Sequence, residues 1–175
     1  MGFTVLVTAA TGNTGRRLIP QLVDRGVDVR AAGRTRSPER DGVQQVRFDW
    51  HDESTFEPAL DGVDAVYTIS DPATWFTKSF EAFLERAADA GSRRVVLLSS
   101  FGVDHAPADD PMRRLELLVL GSGTVLRPTA FMQNFSENHW HDQVTDIREH
   151  GRIHLPNLQA PVSYISTVDI AAVAA

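Results

Sequence analysis

The chain has 175 residues, 42% of them hydrophobic, and no cysteine. It is long enough to bury one core of ordinary size and has no means of forming disulfides or thiolate metal sites. A net charge of −6 argues against a nucleic-acid partner. There is no apolar run of about 18 residues, so no membrane span is expected, and the absence of a signal-peptide layout makes the cytoplasm the expected location.

Residues 3–23 organise the rest. Phe3, Val5 and Val7, with Leu6 between them, predict a buried strand. Thr11, Gly12, Asn13, Thr14 and Gly15 form a turn, and Leu18, Ile19, Leu22 and Val23 share one face of a following helix. Gly12 lets the backbone approach a pyrophosphate, Gly15 lets the helix lie against the strand, and the open N–H groups of the helix start face the phosphates. A dinucleotide site is predicted. Such turns usually carry three glycines; Ala9 stands where the first belongs, which suits alanine only if its φ stays negative. Pro20 removes one helix hydrogen bond and is expected to kink the helix.

Residues 27–33 predict the second strand, with Arg34 at its end and Arg36 and Arg40 close behind. NAD enzymes place an acid for the ribose 2′-hydroxyl about twenty residues past the glycine turn. An arginine fork there suits a 2′-phosphate instead, which predicts NADP. Strand three covers residues 43–48. Asp49 and Trp50 at its end are either adenine contacts or a strand-end acid and a packing indole. Strand four covers 65–69, with Ser70, Asp71 and Pro72 bordering the cofactor side. Phe76, Phe80, Phe83 and Leu84 form a core stripe on the next helix. Strand five, residues 94–98, is almost entirely apolar and so buried on both faces. It ends in Ser99 and Ser100, which are candidates for nicotinamide or substrate contact. A polar loop, 104–111, borders the site. A helix over 112–120 turns Leu115, Leu118 and Val119 inward. Strand six, 124–126, ends in Arg127 and Pro128. A long helix is expected over 130–150, starting with Phe131, Met132 and Phe135, then short strands over 152–155 and 162–165. Ser166 or Thr167 caps a last helix, with Asp169 in its first turn. The alternation of strands and helices predicts an α/β fold: a doubly wound, Rossmann-like parallel sheet. The chain stops inside that last helix, so residues 1–175 are expected to be an NAD(P)-binding domain at the N-terminal end of a longer chain, with a smaller C-terminal substrate region largely missing.

The chain resembles the NmrA-like, NAD(P)-binding branch of the atypical short-chain dehydrogenases. The resemblance lies in TAATGNTGR at residues 8–16, FDWHD at 48–52, VVLLSSFGVD at 95–104, LRPTAFMQNF at 126–135 and SYISTVDIAAVAA at 163–175. It implies that Gly12, Asn13, Thr14 and Gly15 meet the pyrophosphate, that Arg34 meets the adenosine phosphate and that Asp49 and Trp50 meet adenine. It also implies that Ser70 and Ser99 line the ribose and nicotinamide side and that Pro128 supports the nicotinamide. The family includes NADPH-dependent reductases of quinones, ketones, imines and activated double bonds, and also redox-sensing regulators that bind the dinucleotide without turning it over.

Short-chain dehydrogenases generally follow strand five with a serine and then Tyr-x-x-x-Lys, in which the lysine lowers the pKa of the proton-donating tyrosine. Here the two tyrosines, Tyr67 and Tyr164, have no lysine four residues on. Arg113 and Arg114 occupy the expected region, and arginine can only stabilise charge. Ser100 and His105 are the candidate catalytic groups: histidine is the side-chain type suited to proton exchange at physiological pH, and Ser100 can relay a proton. His105 also reads as a surface loop histidine. His139, Trp140 and His141 lack a third ligand at metal spacing and read as pocket lining or surface. The expected function is an NADPH-dependent reductase of a small organic acceptor. The alternatives are a non-catalytic dinucleotide sensor acting through a protein partner and, more weakly, an epimerase or dehydratase. The sequence leaves a homo-oligomer open.

Overall fold

The computed structural model describes residues 2–34, 39–69, 77–92, 94–137, 143–153 and 161–175. Six strands form one sheet: β1 (Thr4–Val7), β2 (Asp28–Gly33), β3 (Val43–Arg47), β4 (Ala65–Ile69), β5 (Arg94–Leu98) and β6 (Thr124–Leu126). All neighbours are parallel, in the order β3-β2-β1-β4-β5-β6. The order reverses between β1 and β4, and in open α/β sheets that reversal opens a crevice at the carboxyl ends of the strands. The register sets Val5 against Val29 on one side and Ala65 on the other. The predicted doubly wound sheet is therefore present, with its strands close to the expected boundaries.

Alternation along β1 divides the core. Leu6 faces a layer that contains Phe48, Phe56, Phe80, Phe83, Leu97, Leu115 and Val119. These residues join the sheet to α2 (Phe56–Leu60), α3 (Thr77–Asp89) and α4 (Pro111–Leu120). Val5 and Val7 face the other layer with Leu18, Leu22, Tyr67, Ile170 and Ala171, which packs α1 (Gly15–Asp24) and α6 (Thr167–Ala174) on the opposite face. Helix α1 runs on through Pro20 to Asp24 rather than ending at it. Ser166 caps α6, accepting from the Val168 N–H at 3.2 Å. Among the described residues no helix is long and apolar enough to cross a membrane.

Three expectations are corrected. Leu118 is 37% exposed; Leu115 and Val119 take the core face, and one residue step turns a helix by about 100°. Residues 130–150 do not form a long helix. Ala130–Phe131 is a strand, β7, paired in parallel with β8 (Tyr164–Ile165). Met132–Phe135 is a 3-10 turn, and among the described residues beyond it only α5 (Gln143–Thr145) and a π turn over Asp146–His150 are helical. The spacing of Phe131, Met132 and Phe135 suits a helix, but pairing with a strand far along the chain and a tilted ring contact of Phe135 with Tyr164, centroids 5.1 Å apart, override it. The strand expected over 152–155 is not formed at Arg152 and Ile153. Arg36, Ser70, Asp71, Pro72, Phe76 and the His139, Trp140, His141 cluster lie outside the described residues.

Candidate functional site

The glycine turn stands at the carboxyl end of β1, beside the crevice. The Gly12 amide donates to the Ala9 carbonyl at 2.8 Å, and the Arg16 and Leu18 amides return to Gly12 and Thr14. A Cβ on Gly15 would fall 2.5 Å from the Ala9 oxygen and 3.0 Å from the Ala10 Cα; one on Gly12 would fall 3.0 Å from the Ala9 oxygen. Contacts this short leave no room for a side chain at Gly15, so the helix start lies directly on the turn. Thr11 is exposed, Gly12 and Asn13 are half-buried, and Thr14 and Gly15 are buried beneath them. The rim that an incoming anion would meet is thus Thr11–Asn13, with Thr14 and Gly15 shaping it from below. A turn with no side chain at Gly12 and Gly15, at the head of a ten-residue helix, suits a pyrophosphate.

Ala9 corrects the sequence reading. Its φ is +50°, and it is the one non-glycine residue with positive φ among the described residues. The position keeps the left-handed conformation of the glycine it replaces, so alanine holds it under strain.

Hydrogen bonds join the turn to its neighbours on both sides. The Ala10 amide donates to the Ala32 carbonyl at 3.2 Å, which ties the turn to the end of β2. Arg34, exposed, lies just past that end, on the same edge of the sheet. The Thr8 hydroxyl donates to the Thr68 hydroxyl at 3.2 Å and accepts from the Ile69 amide, tying the turn to β4. At the end of β3, Asp49 accepts from the His51 amide at 3.0 Å through its side chain and receives the Thr55 hydroxyl on its carbonyl. Trp50 lies edge-on to Phe48 and Phe83, at 4.8 and 5.2 Å between centroids, and is part of the aromatic core layer.

The other half of the crevice lies at the ends of β5 and β6. Pairing continues past both strands, because the Ser99 amide donates to Leu126 and the Phe101 amide to Pro128. The Ser99 side chain is buried and its hydroxyl donates to Glu116 Oε1 at 2.6 Å. Ser100 is exposed. Glu116, fully buried on α4, also receives Arg113 at 2.8 Å and Arg127 in a two-pronged bond at 2.8 and 2.9 Å. Burial alone would raise the Glu116 carboxyl, but the bonds from Arg127, Ser99 and Arg113 outweigh it and hold the group below its ordinary value. Sequence reasoning missed this cluster. Its one signal was a carboxylate beside Leu115 and three residues before Val119, on an otherwise apolar helix stripe.

The proton-donor candidates stand apart from one another. His105 is 86% exposed, with Asp104 3.9 Å away. Tyr67 is 2% exposed, and burial pushes its hydroxyl up to about 12 against a smaller pull from the nearby Thr14 hydroxyl. Neither hydroxyl reaches hydrogen-bond geometry with any described group. A tyrosine so placed gives up no proton near neutral pH. Among the described residues no group of acidic, histidine or cysteine side chains is arranged to hold a metal ion.

A family model described as NAD(P)H-binding matches residues 9–139. A (4-alkanoyl-5-oxo-2,5-dihydrofuran-3-yl)methyl phosphate reductase from Streptomyces griseus is 35% identical over 97% of this chain and 61% of its own length. Prestalk A differentiation protein A of Dictyostelium discoideum is 30% identical over 95% of this chain and 56% of its own. The fold superposes on the triphenylmethane reductase of Citrobacter sp. with a TM-score of 0.79 at 21% identity, covering 98% of this chain and 63% of that one. The chain thus spans a little over half the length of the curated relatives it matches.

Proposed function

The chain belongs to the NAD(P)H-binding, NmrA-like family, and on that premise we propose that it is an NADPH-dependent reductase passing hydride to a small organic acceptor such as a quinone, ketone, imine or activated double bond. The observation that carries the reading is the side-chain-free turn at Gly12 and Gly15, set where the strand order reverses. In this reading Thr11, Gly12, Asn13, Thr14 and Gly15 hold the pyrophosphate and Arg34 takes the 2′-phosphate. Asp49 and Trp50 border the adenine, and Pro128 supports the nicotinamide. The resemblance assigns Ser99, and Ser70 outside the described residues, to the ribose and nicotinamide side.

When bound, NADPH supplies the hydride. The chain positions it and shields the transfer. Ser99 acts through Glu116 as a brace for the β5 end, while exposed Ser100 is free to meet the acceptor or relay a proton to it. His105 delivers a proton where the acceptor needs one, and a quinone or iminium acceptor needs less protonation at the moment of transfer. Relatives named as reductases of chemically different acceptors are consistent with a site that works mainly by orientation.

The test is to follow the absorbance of NADPH with a panel of quinones, ketones and iminium compounds. Consumption with any acceptor supports the reductase. Arg34→Asp should weaken NADP far more than NAD, and equal losses would reject the phosphate assignment. A second reading, a dinucleotide sensor, is favoured by the missing Tyr-x-x-x-Lys and by the locked Tyr67. It requires tight binding without turnover and unequal affinity for the two redox forms.

A further inference from the structure

Arg16 and Arg17 occupy the first turn of α1, a turn with no acidic residue. Cations there oppose the positive end of the helix dipole. Their counter-charge comes from 120 residues further along the chain: the Glu137 carboxylate pairs with both guanidiniums. The same guanidiniums reach back to the glycine turn. Arg16 Nη2 donates to Asn13 Oδ1 at 3.2 Å, and Arg17 Nη1 donates to the Asn13 carbonyl at 2.9 Å. The Asn13 carbonyl and the Thr14 N–H share one rigid peptide plane, so holding the first sets the direction of the second. Glu137 is itself anchored, because its amide donates to the Gln133 carbonyl at 2.9 Å. The Gln133 side chain in turn accepts from the Thr167 amide at 2.9 Å, at the start of α6.

We propose that Glu137 is a positioning residue for the dinucleotide, acting through Arg16 and Arg17: it fixes both guanidiniums, and they fix the Asn13–Thr14 peptide that faces the phosphates. This rests on the reading that the turn binds NADP(H). It also gives the segment that follows β7 a role in coenzyme affinity, although none of its residues belongs to the turn.

Three measurements on Glu137→Gln test the proposal. In titration calorimetry the dissociation constant for NADPH should rise about five- to tenfold, the range of a charge-assisted bond that is partly screened. With any acceptor that turns over, KM for NADPH should rise while kcat holds. Adding Arg17→Gln to this variant should cost little more, as residues acting as a unit are not additive. Independently of any ligand, amide hydrogen exchange across residues 12–15 should quicken several-fold. Unchanged or tighter NADPH binding, or unchanged exchange in the turn, overturns the proposal, and a fall in melting temperature alone does not rescue it. If the parent protein binds no dinucleotide, the reductase reading fails, and the exchange measurement still decides whether Glu137 orders the turn.

Discussion

Ala9→Gly should make the protein more stable. The left-handed region costs an L-residue about 1–2 kcal/mol through the approach of Cβ to the following carbonyl, and Ala9 is held there at φ +50°. The methyl group is exposed, so its removal sacrifices little packing. Glycine returns about 0.4–1 kcal/mol of that gain by loosening the unfolded chain. The net gain is about 1 kcal/mol, which for a domain of this size is a rise in melting temperature of about 2–4 °C. Thermal melts followed by circular dichroism, with urea titrations to check that the slope is unchanged, measure it directly. Ala9→Val sharpens the test, since a β-branched residue tolerates positive φ less well and should lower the melting temperature. A lower melting temperature for Ala9→Gly would refute the strain argument.

Other outcomes follow from the same geometry. Gly15→Ala must open the turn to relieve a 2.5 Å contact with the Ala9 oxygen; it should cost about 1–3 kcal/mol of stability, seen in urea, and weaken NADPH binding by about tenfold or more in calorimetry. Glu116→Gln leaves two guanidiniums facing a neutral amide and should cost about 3 kcal/mol in denaturant titrations at neutral pH. The Glu116 carboxyl is depressed in the fold, so its contribution is fully present above its ordinary value, which is 4.5, and is lost as pH falls through the lowered folded value. The gap between parent and Glu116→Gln should therefore narrow in acid. Tyr67→Phe removes a buried hydroxyl that has no described partner and should leave stability equal or raise it by about 1 kcal/mol. If acceptor reduction vanished in that variant, Tyr67 would be a proton donor after all.

Periodicity carried most of the fold. The apolar runs at Val5–Val7 and Val95–Leu98 can only be buried strands, and the stripe Leu18, Ile19, Leu22 can only be one face of a helix. Both readings depend on neighbours within a few residues. The glycine turn was legible for the same reason, since strand, turn and helix are adjacent in the chain. What escaped depends on distant partners. Phe131 pairs beside Ile165, so local spacing suggested a helix where β7 forms. The partner of Ser99 was hidden for the same reason, since its hydroxyl donates to a carboxylate seventeen residues on. Glu137 gave no signal, because its arginine partners lie on the opening helix. Ala9 was misjudged differently: the side chain suggested a relaxed backbone, and the surrounding turn imposes the glycine conformation regardless.

The single carboxylate on α4 has an effect beyond bracing. It offsets one of the two positive charges on Arg113 and Arg127, and Asp104 acts on Arg127 as well. The arginines beside the β5 and β6 ends are therefore held in pairs with acids rather than left as free cations. Loss of that one acid would leave this edge of the sheet with uncompensated positive charge.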